Sequence, residues 1–439
     1  MAFIPRFTKE PRNFPVRRAA ILALAALVIT GCTKRKVQPV LSTAPAVIWT
    51  DISEIASCVE LFNKSQDKYK AVVQYRENPA ESLDFFGTVK SADTELPDIV
   101  IGTALKNTNS RAHFLPLDFL FSERSLDSSR FYPSLLEAGK LDGKQYFLPL
   151  SFNMPAVAFD SRNEDLIGEP YMISVEQIRD IAASFNAEKN GQPTVMGFAP
   201  SWDGNFLYLV TQLWGAEYRQ DGEVFSWNED AISSAVNYLR NWTENCNGST
   251  QAEKDFSFKY LYTPKYKQIS SGRCLFAYTT SRNMLSVNEE ILQNLDFRWI
   301  HKDKKIPIAD TLVSIAIDKH SLNSEAAEAF IVWLMQEETQ KNLLQRTKDM
   351  NLNTAVFGIA GGFSALRDVT EKVFPMYYET LLGSLPVSEY LDSATILPPK
   401  WDKIKEKVII PYLEKVTDTS KISNETLSSA LEDWNKQNY

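Results

Sequence analysis

The sequence predicts an α/β protein of two lobes, and two observations carry that prediction. Short β-branched and aromatic runs alternate with segments of helical period, the pattern of a sheet crossed by helices. About four hundred residues follow an apolar N-terminal run, more than one hydrophobic core ordinarily holds. In chain order, "AVIWT" (46–50), "AVVQY" (71–75) and "DIVIG" (98–102) are strands, each followed by a helix. After Asp51 the helical period places Ile52, Ile55, Val59 and Phe62 on one face, and Asp51 with Glu54 reads as a capping box. Ser174 with Gln177 starts a helix whose face is Ile178, Ile181, Ala182 and Phe185. Asn228 precedes Ile232, Ala235, Val236 and Leu239, and Asn323 or Ser324 precedes Ala327, Phe330, Ile331 and Leu334; both are N-cap signals. "MGFAP", "CLFAY", "FRWI" and "VSIAI" read as short strands. From Phe363 onward the chain is mainly helical, with a loop around "ILPPKW".

The N-terminus reads as an export signal. Arg6, Lys9, Arg12, Arg17 and Arg18 precede the apolar run from Ala19 to Thr30, in the order of a secretory signal peptide and with a run shorter than the roughly 20 residues of a membrane span. Gly31 and Cys32, with Ile29 ahead of them, resemble the bacterial lipoprotein signal. That resemblance implies cleavage after residue 31 and a diacylglycerol on the Cys32 sulfur, two chains being what stable anchoring takes. The alternative is ordinary cleavage with Cys32 an incidental thiol. Residues 32–45, basic and Pro-containing, then form a tether.

The net charge of -8 at pH 7 argues against a nucleic-acid partner. Beyond Cys32 stand Cys58, Cys246 and Cys274, with no CxxC or Cys/His metal spacing. Cys246 and Cys274 fall in the same predicted lobe and could pair, or all three are small buried apolar residues.

Several stretches resemble the maltose-binding-protein-like extracellular solute-binding proteins (family 1) of ABC importers. They are "VIWTDISE" with "LFNKSQ" behind it, "LPDIVIG", "FLPLDFL", "LDGKQYFLPLSFNMPAVAFD", "ISSGRCLFAYTTSRNM" and "SEAAEAFIVWLMQEETQKNLLQ"; their order over nearly the whole chain beyond the tether carries the resemblance. It implies a two-lobed periplasmic-binding-protein fold (type II) with a hinge between lobes and a ligand cleft at their interface. The expected division is 1–31 signal, 32–45 tether, 42–154 plus 305–350 first lobe, and 155–304 plus 351–439 second lobe. A departure falls at "IPIADTLVSIAI", where Ala309 and Asp310 stand in place of the family's usual Gly pair.

Sugar recognition needs flat aromatic faces and fixed polar groups together, at loops following strands. Trp49 and Asp51 end the first strand, Asn153 sits where the chain crosses between lobes, and Trp202 and Asp203 lie in "SWDGN". Tyr278, Thr279, Ser281, Arg282 and Asn283 line the segment that resembles the family's cleft loop, Asp310 marks the departure, and Trp401 could reach the rim. Each has a structural alternative: Asp51 as a helix cap, Trp49 and Trp401 as packing residues, "SWDGN" as a turn, Arg282 as a surface charge. The expected function is capture of a carbohydrate or polyol for import by hinge closure, by a monomeric, anchored, extracytoplasmic protein that works with ABC permease subunits, uses no cofactor or metal and is not an enzyme. One alternative keeps the fold and binds a glycerol phosphate ester through Arg282 or helix N-termini. Another is a lipid-anchored glycoside hydrolase, which would pair Asp51 with Asp203 or Asp310; no HExxH, GxSxG or Walker A motif is present. The last is a structural lipoprotein without ligand.

Overall fold

The computed structural model describes residues 44–88, 96–106, 110–123, 125–168, 170–221, 224–287, 289–352, 355–385, 388–392, 397–398 and 400–438. The signal, Cys32 and all but the end of the tether lie outside the described residues. Among those described, no helix is long and apolar enough to cross a membrane.

Two sheets organise the chain. The first has six strands in the order Phe363–Ser364, Leu148–Phe152, Val313–Ile317, Ile99–Gly102, Ala46–Thr50, Ala71–Tyr75. Ala46–Thr50 pairs in parallel with both neighbours, and Val313–Ile317 runs antiparallel between Ile99–Gly102 and Leu148–Phe152. The inner strands are buried along their whole length, which is why they read as unbroken apolar runs rather than alternating ones. The second sheet has the order Ala277–Thr280, Pro155–Asp160, Leu295–His301, Met172–Ser174. Only Asn153 and Met154 separate Leu148–Phe152 from Pro155–Asp160, so one nearly continuous strand passes from sheet to sheet. A single apolar cluster runs through that crossing, joining Leu150, Phe152, Met154, Ile315 and Phe363 to Ala156, Phe297 and Trp299. Two sheets joined by a crossing strand give the two-lobed α/β architecture expected from the sequence.

Local signals held where the side chains could meet their partners. The Ser174–Gln177 capping box forms in full ahead of the helix Val175–Phe185, and Asn228 accepts the Ala231 amide. No box forms at Asp51: the helix is Glu54–Ser65, its N-cap is Ser53 without a side-chain bond, and its buried face is Ile55, Cys58, Val59 and Phe62. The next turn instead uses Thr50, whose hydroxyl accepts the Ile52 amide. "MGFAP" is not a strand; a Cβ on Gly197 would stand 2.2 Å from the Ala182 carbonyl oxygen, and that close approach turns the chain out of sheet geometry. Its carbonyl still accepts the Leu275 and Phe276 amides.

In the last quarter the chain returns to the first sheet before it packs in the second lobe. Phe363–Ser364 hydrogen-bonds to the edge of the first sheet, and Phe357, Phe374, Leu381 and Leu391 belong to the cluster that spans the crossing. The segment up to Leu391 touches both sheets, Trp299 Nε1 of the second donating to the Ser384 carbonyl at 2.6 Å, and beyond it Trp401, Ile409 and Leu413 pack with Phe206 and Val210 of the helix Gly204–Leu213. Cys246 and Cys274 do not pair; Cys58, Cys246 and Cys274 are all free thiols, and burial pushes the Cys58 and Cys274 thiols up to about 12.

Candidate ligand-binding cleft

The cleft begins at the crossing. Asn153 is buried there, and its two polar ends are both engaged: its amide nitrogen donates to the Gly361 carbonyl (2.9 Å) and its oxygen accepts from the Ser281 hydroxyl (2.7 Å). Ser281 is fully buried and also accepts the Met154 amide at 3.1 Å. Gly361 has φ +77°, and a Cβ there would stand 3.0 Å from the Arg282 guanidinium, so glycine avoids both the strain of the left-handed backbone and a shift of that side chain.

Above this floor lies a cavity of about 300 Å³. Its walls are one face of the helix Gly204–Leu213, the strand Ala277–Thr280 with the turn beyond it, and the loop 307–311. Asp203 caps the helix by accepting the Asn205 amide at 2.8 Å, leaving the carboxylate at the cavity wall. Burial pushes its carboxyl above the usual carboxylate range, against the helix amides and Lys265, which pull it down. Asn205, Tyr208, Leu209 and Gln212 follow on the cavity side, at the i, i+3, i+4, i+7 spacing of one helix face. Tyr208 is buried, and its hydroxyl makes no hydrogen bond within ordinary geometry, although Asp310 adjoins it. A buried hydroxyl left in that condition is costly. Tyr278 stands opposite, its ring edge-on to Phe206 at 5.8 Å.

Asp310 is the most heavily engaged of these groups. Its carboxylate, 6% exposed, accepts from Trp401 Nε1 (2.7 Å), Lys405 Nζ (3.3 Å) and Gln212 Nε2 (3.4 Å). It therefore ties the loop leading into the first sheet to two helices of the second lobe. Two ion pairs bridge the lobes elsewhere: Arg282 to Glu54 at 3.8 Å and Lys400 to Glu81 at 3.2 Å.

Of the residues expected at the site, the structure brings Asn153, Asp203, Tyr278, Arg282 and Asp310 to one cavity, with Thr279 and Asn283. Ser281 stands behind Asn153 rather than on the surface. Trp49 is a correction: it is fully buried with Leu83, Phe114 and Phe147 on one face of the first sheet, its indole N–H donates to Gln74 at 3.0 Å, and the Arg76 guanidinium covers its ring. Trp202 is a second correction. Its ring stacks on Phe256 (5.6 Å, 17°), Lys265 lies over it at 4.4 Å, and its indole N–H donates to the Glu253 carbonyl. The buried Glu253 carboxylate holds this corner together by accepting from Ser201 and Asn247. Asp51 is exposed and outside the cavity lining; crowding by protein, with the like charges of Asp402 and Glu77, raises its carboxyl. Trp401 is buried against Tyr208, Tyr218 and Phe225 and acts on the cleft through Asp310.

The sequence reading missed Tyr208, Gln212 and Lys405. A polar stripe on an otherwise apolar helix opened by Asp203–Gly204 was the available signal. It also passed over "GIAGG", 358–362, whose backbone packs under Arg282 and against the Phe152 carbonyl.

The fold recurs in solved structures of low sequence identity. An ABC substrate-binding protein, Lmo0181 from Listeria monocytogenes, solved in complex with cycloalternan, superposes with a TM-score of 0.57 at 18% identity over 90% of this chain and 99% of that one. The sugar-binding protein MalE from Xanthomonas citri gives 0.64 at 13% over 90% and 96%. The cyclic alpha-maltosyl-1,6-maltose binding protein from Arthrobacter globiformis gives 0.59 at 14% over 89% and 97%. No curated protein sequence matches the chain. The model of the bacterial extracellular solute-binding protein family matches residues 58–358. With two lobes, a polar cleft at their crossing and a family match over more than half its length, the chain belongs to the bacterial extracellular solute-binding proteins.

Proposed function

We propose that the cleft captures a neutral carbohydrate or related polyol and presents it to the permease of an ABC importer. One observation carries this reading: the cavity has two carboxylates, Asp203 and Asp310, beside two tyrosines and several amides and hydroxyls, while its cations are already engaged. Lys405 is paired with Asp310 and Arg282 with Glu54. Carboxylates accept sugar hydroxyl protons, and tyrosine faces suit the C–H surface of a pyranose. A phosphate ester would bring further negative charge beside the Asp203 and Asp310 carboxylates, where the Lys405 ammonium is already paired, so the glycerol phosphate alternative is the weaker. The sugars of two structural neighbours, cycloalternan and cyclic alpha-maltosyl-1,6-maltose, support the same class.

Binding requires no covalent step. Ligand contacts made by both lobes would favour the bridged arrangement, since a ligand shifts a two-state equilibrium only by its difference in affinity. Cys32, once lipidated, would keep the protein at the membrane outside the cytoplasm. Incorporation of labelled palmitate, lost in Cys32→Ala, tests the anchor; label retained in that variant would refute it.

The function is tested by thermal unfolding of protein starting after Cys32, against sugars, polyols and glycerophosphodiesters. Ligand at a hundred times its dissociation constant stabilises by about 2.7 kcal/mol. A response confined to sugars or polyols is expected; one confined to glycerophosphodiesters would overturn the reading. Release of reducing sugar from an oligosaccharide would instead establish a hydrolase.

A further inference from the structure

The cleft is not one trough, and the geometry points to Asp310 as the partition that limits the length of ligand it accepts. This rests on the carbohydrate reading above and sharpens it to a size class. Asp310 lines two cavities at once: the inner one of about 300 Å³, and a second of about 50 Å³ bounded by Ala104, Lys106 and Leu397. A third, of about 200 Å³, lies between the lobes among Glu77, Glu81 and Thr103 on one side and Lys400 and Trp401 on the other. Trp401 thus borders the third cavity while its indole N–H holds the Asp310 carboxylate at 2.7 Å. The Asp310–Trp401 bridge, braced by Lys405 and Gln212, stands between the inner space and the rest.

The consequences for ligand size follow from volume and from the cost of moving the bridge. About 300 Å³ is the lower end of ordinary ligand sites, room for about one or two sugar rings. Joined, the three cavities would offer almost twice the inner volume. A longer chain running outward from the inner cavity would have to displace a carboxylate that is 6% exposed with three donors on it. Those donors, the buried indole among them, would lose their acceptor. Loop 307–311 thereby sets specificity by an obstruction as well as by contact.

The test uses protein starting after Cys32 and homologous series of one to four rings: α-1,4-glucans, β-1,4-glucans and β-1,4-mannans, titrated calorimetrically. Native protein should bind the members of one or two rings and lose at least tenfold in affinity at three. Asp310→Gly should bind three- and four-ring members at least tenfold tighter than native protein does. Asp310→Asn, which keeps the volume and an acceptor for Trp401, should keep the cut-off. If Asp310→Gly does not fold, Trp401→Phe removes the indole donor while keeping most of the ring, and should relax the cut-off. Native protein binding three or four rings as tightly as two would overturn the partition and leave the carbohydrate reading standing. So would a cut-off unchanged in folded Asp310→Gly or in Trp401→Phe. No binding by any series, with a response to glycerophosphodiesters, would overturn the carbohydrate reading and with it this one.

Discussion

Ser281→Ala separates a residue that touches ligand from one that builds the floor beneath it. The serine hydroxyl donates to Asn153 Oδ1 at 2.7 Å and accepts the Met154 amide at 3.1 Å, in a position with no solvent access. Alanine leaves both partners buried without a bond. Each unsatisfied group costs about 1–3 kcal/mol, so after some local relaxation the variant should lose about 2–4 kcal/mol. The unfolding entropy of a chain of about four hundred residues is near 0.8 kcal/mol/K, which makes the expected fall in Tm roughly 3–5 °C. Circular dichroism without ligand reads that directly. The pair is coupled, so Asn153→Ala with Ser281→Ala should cost less than the two single changes added together. A Tm within about 1 °C of native protein, accompanied by a loss of ligand affinity, would refute the placement of Ser281 and restore it as a contact.

Trp202→Ala should lower stability by about 2–4 kcal/mol, since its ring is half-buried against Phe256 and large-to-small changes there open a cavity. Its ligand dissociation constant should stay within about twofold of native, and calorimetry of the folded variant would expose a larger change. Asp203→Asn keeps a good N-cap but removes the charged acceptor from the cavity wall; it should weaken ligand binding by about 1.5–3 kcal/mol with little change in Tm. Because burial raises the Asp203 carboxyl above its ordinary value, native affinity should already decline as pH falls through that raised value, and Asp203→Asn should abolish the decline. At Asp418, burial acts to raise the carboxyl but is outweighed by the Ser420 hydroxyl and the Lys254 ammonium, which bring it down to about 2. Its folded value lies below its unfolded one, so its contribution is complete above about pH 4 and is lost as pH falls toward 2. Asp418→Asn should remove about 1–2 kcal/mol of that acid-sensitive stability, the ammonium being half exposed and screened. Denaturant midpoints measured from pH 2 to 6 would show the effect.

What could be read without the structure was whatever is local or strictly periodic. Strands such as Ala46–Thr50 and Val313–Ile317 announce themselves because both faces are covered, and the Ser174–Gln177 box because its partners are three residues apart. The tryptophans were misplaced for the opposite reason. Chemistry marks Trp49 and Trp202 as stacking surfaces, but whether a ring faces a cleft or a core depends on which side of a strand or turn it leaves, and here Arg76 and Phe256 cover them. Gln212 and Lys405 lie far apart in sequence and gain meaning only when both reach Asp310. The return to the first sheet at Phe363–Ser364 leaves no mark in the sequence, because a two-residue strand is too short to show a period.

The apolar cluster that runs unbroken through the crossing has a consequence for how the lobes separate. If Phe152, Met154, Ala156, Phe297 and Trp299 stay packed as the outer lips part, opening is flexure about a dry spine. Little apolar area is hydrated, and the heat capacity of that motion should be small. The contacts that part across the lips are the ion pairs of Lys400 with Glu81 and of Arg282 with Glu54, whose attraction salt screens, and the bonds of the Asp310 carboxylate to Gln212, Trp401 and Lys405. Opening should therefore become easier as ionic strength rises, a dependence that the buried cluster at the crossing does not share.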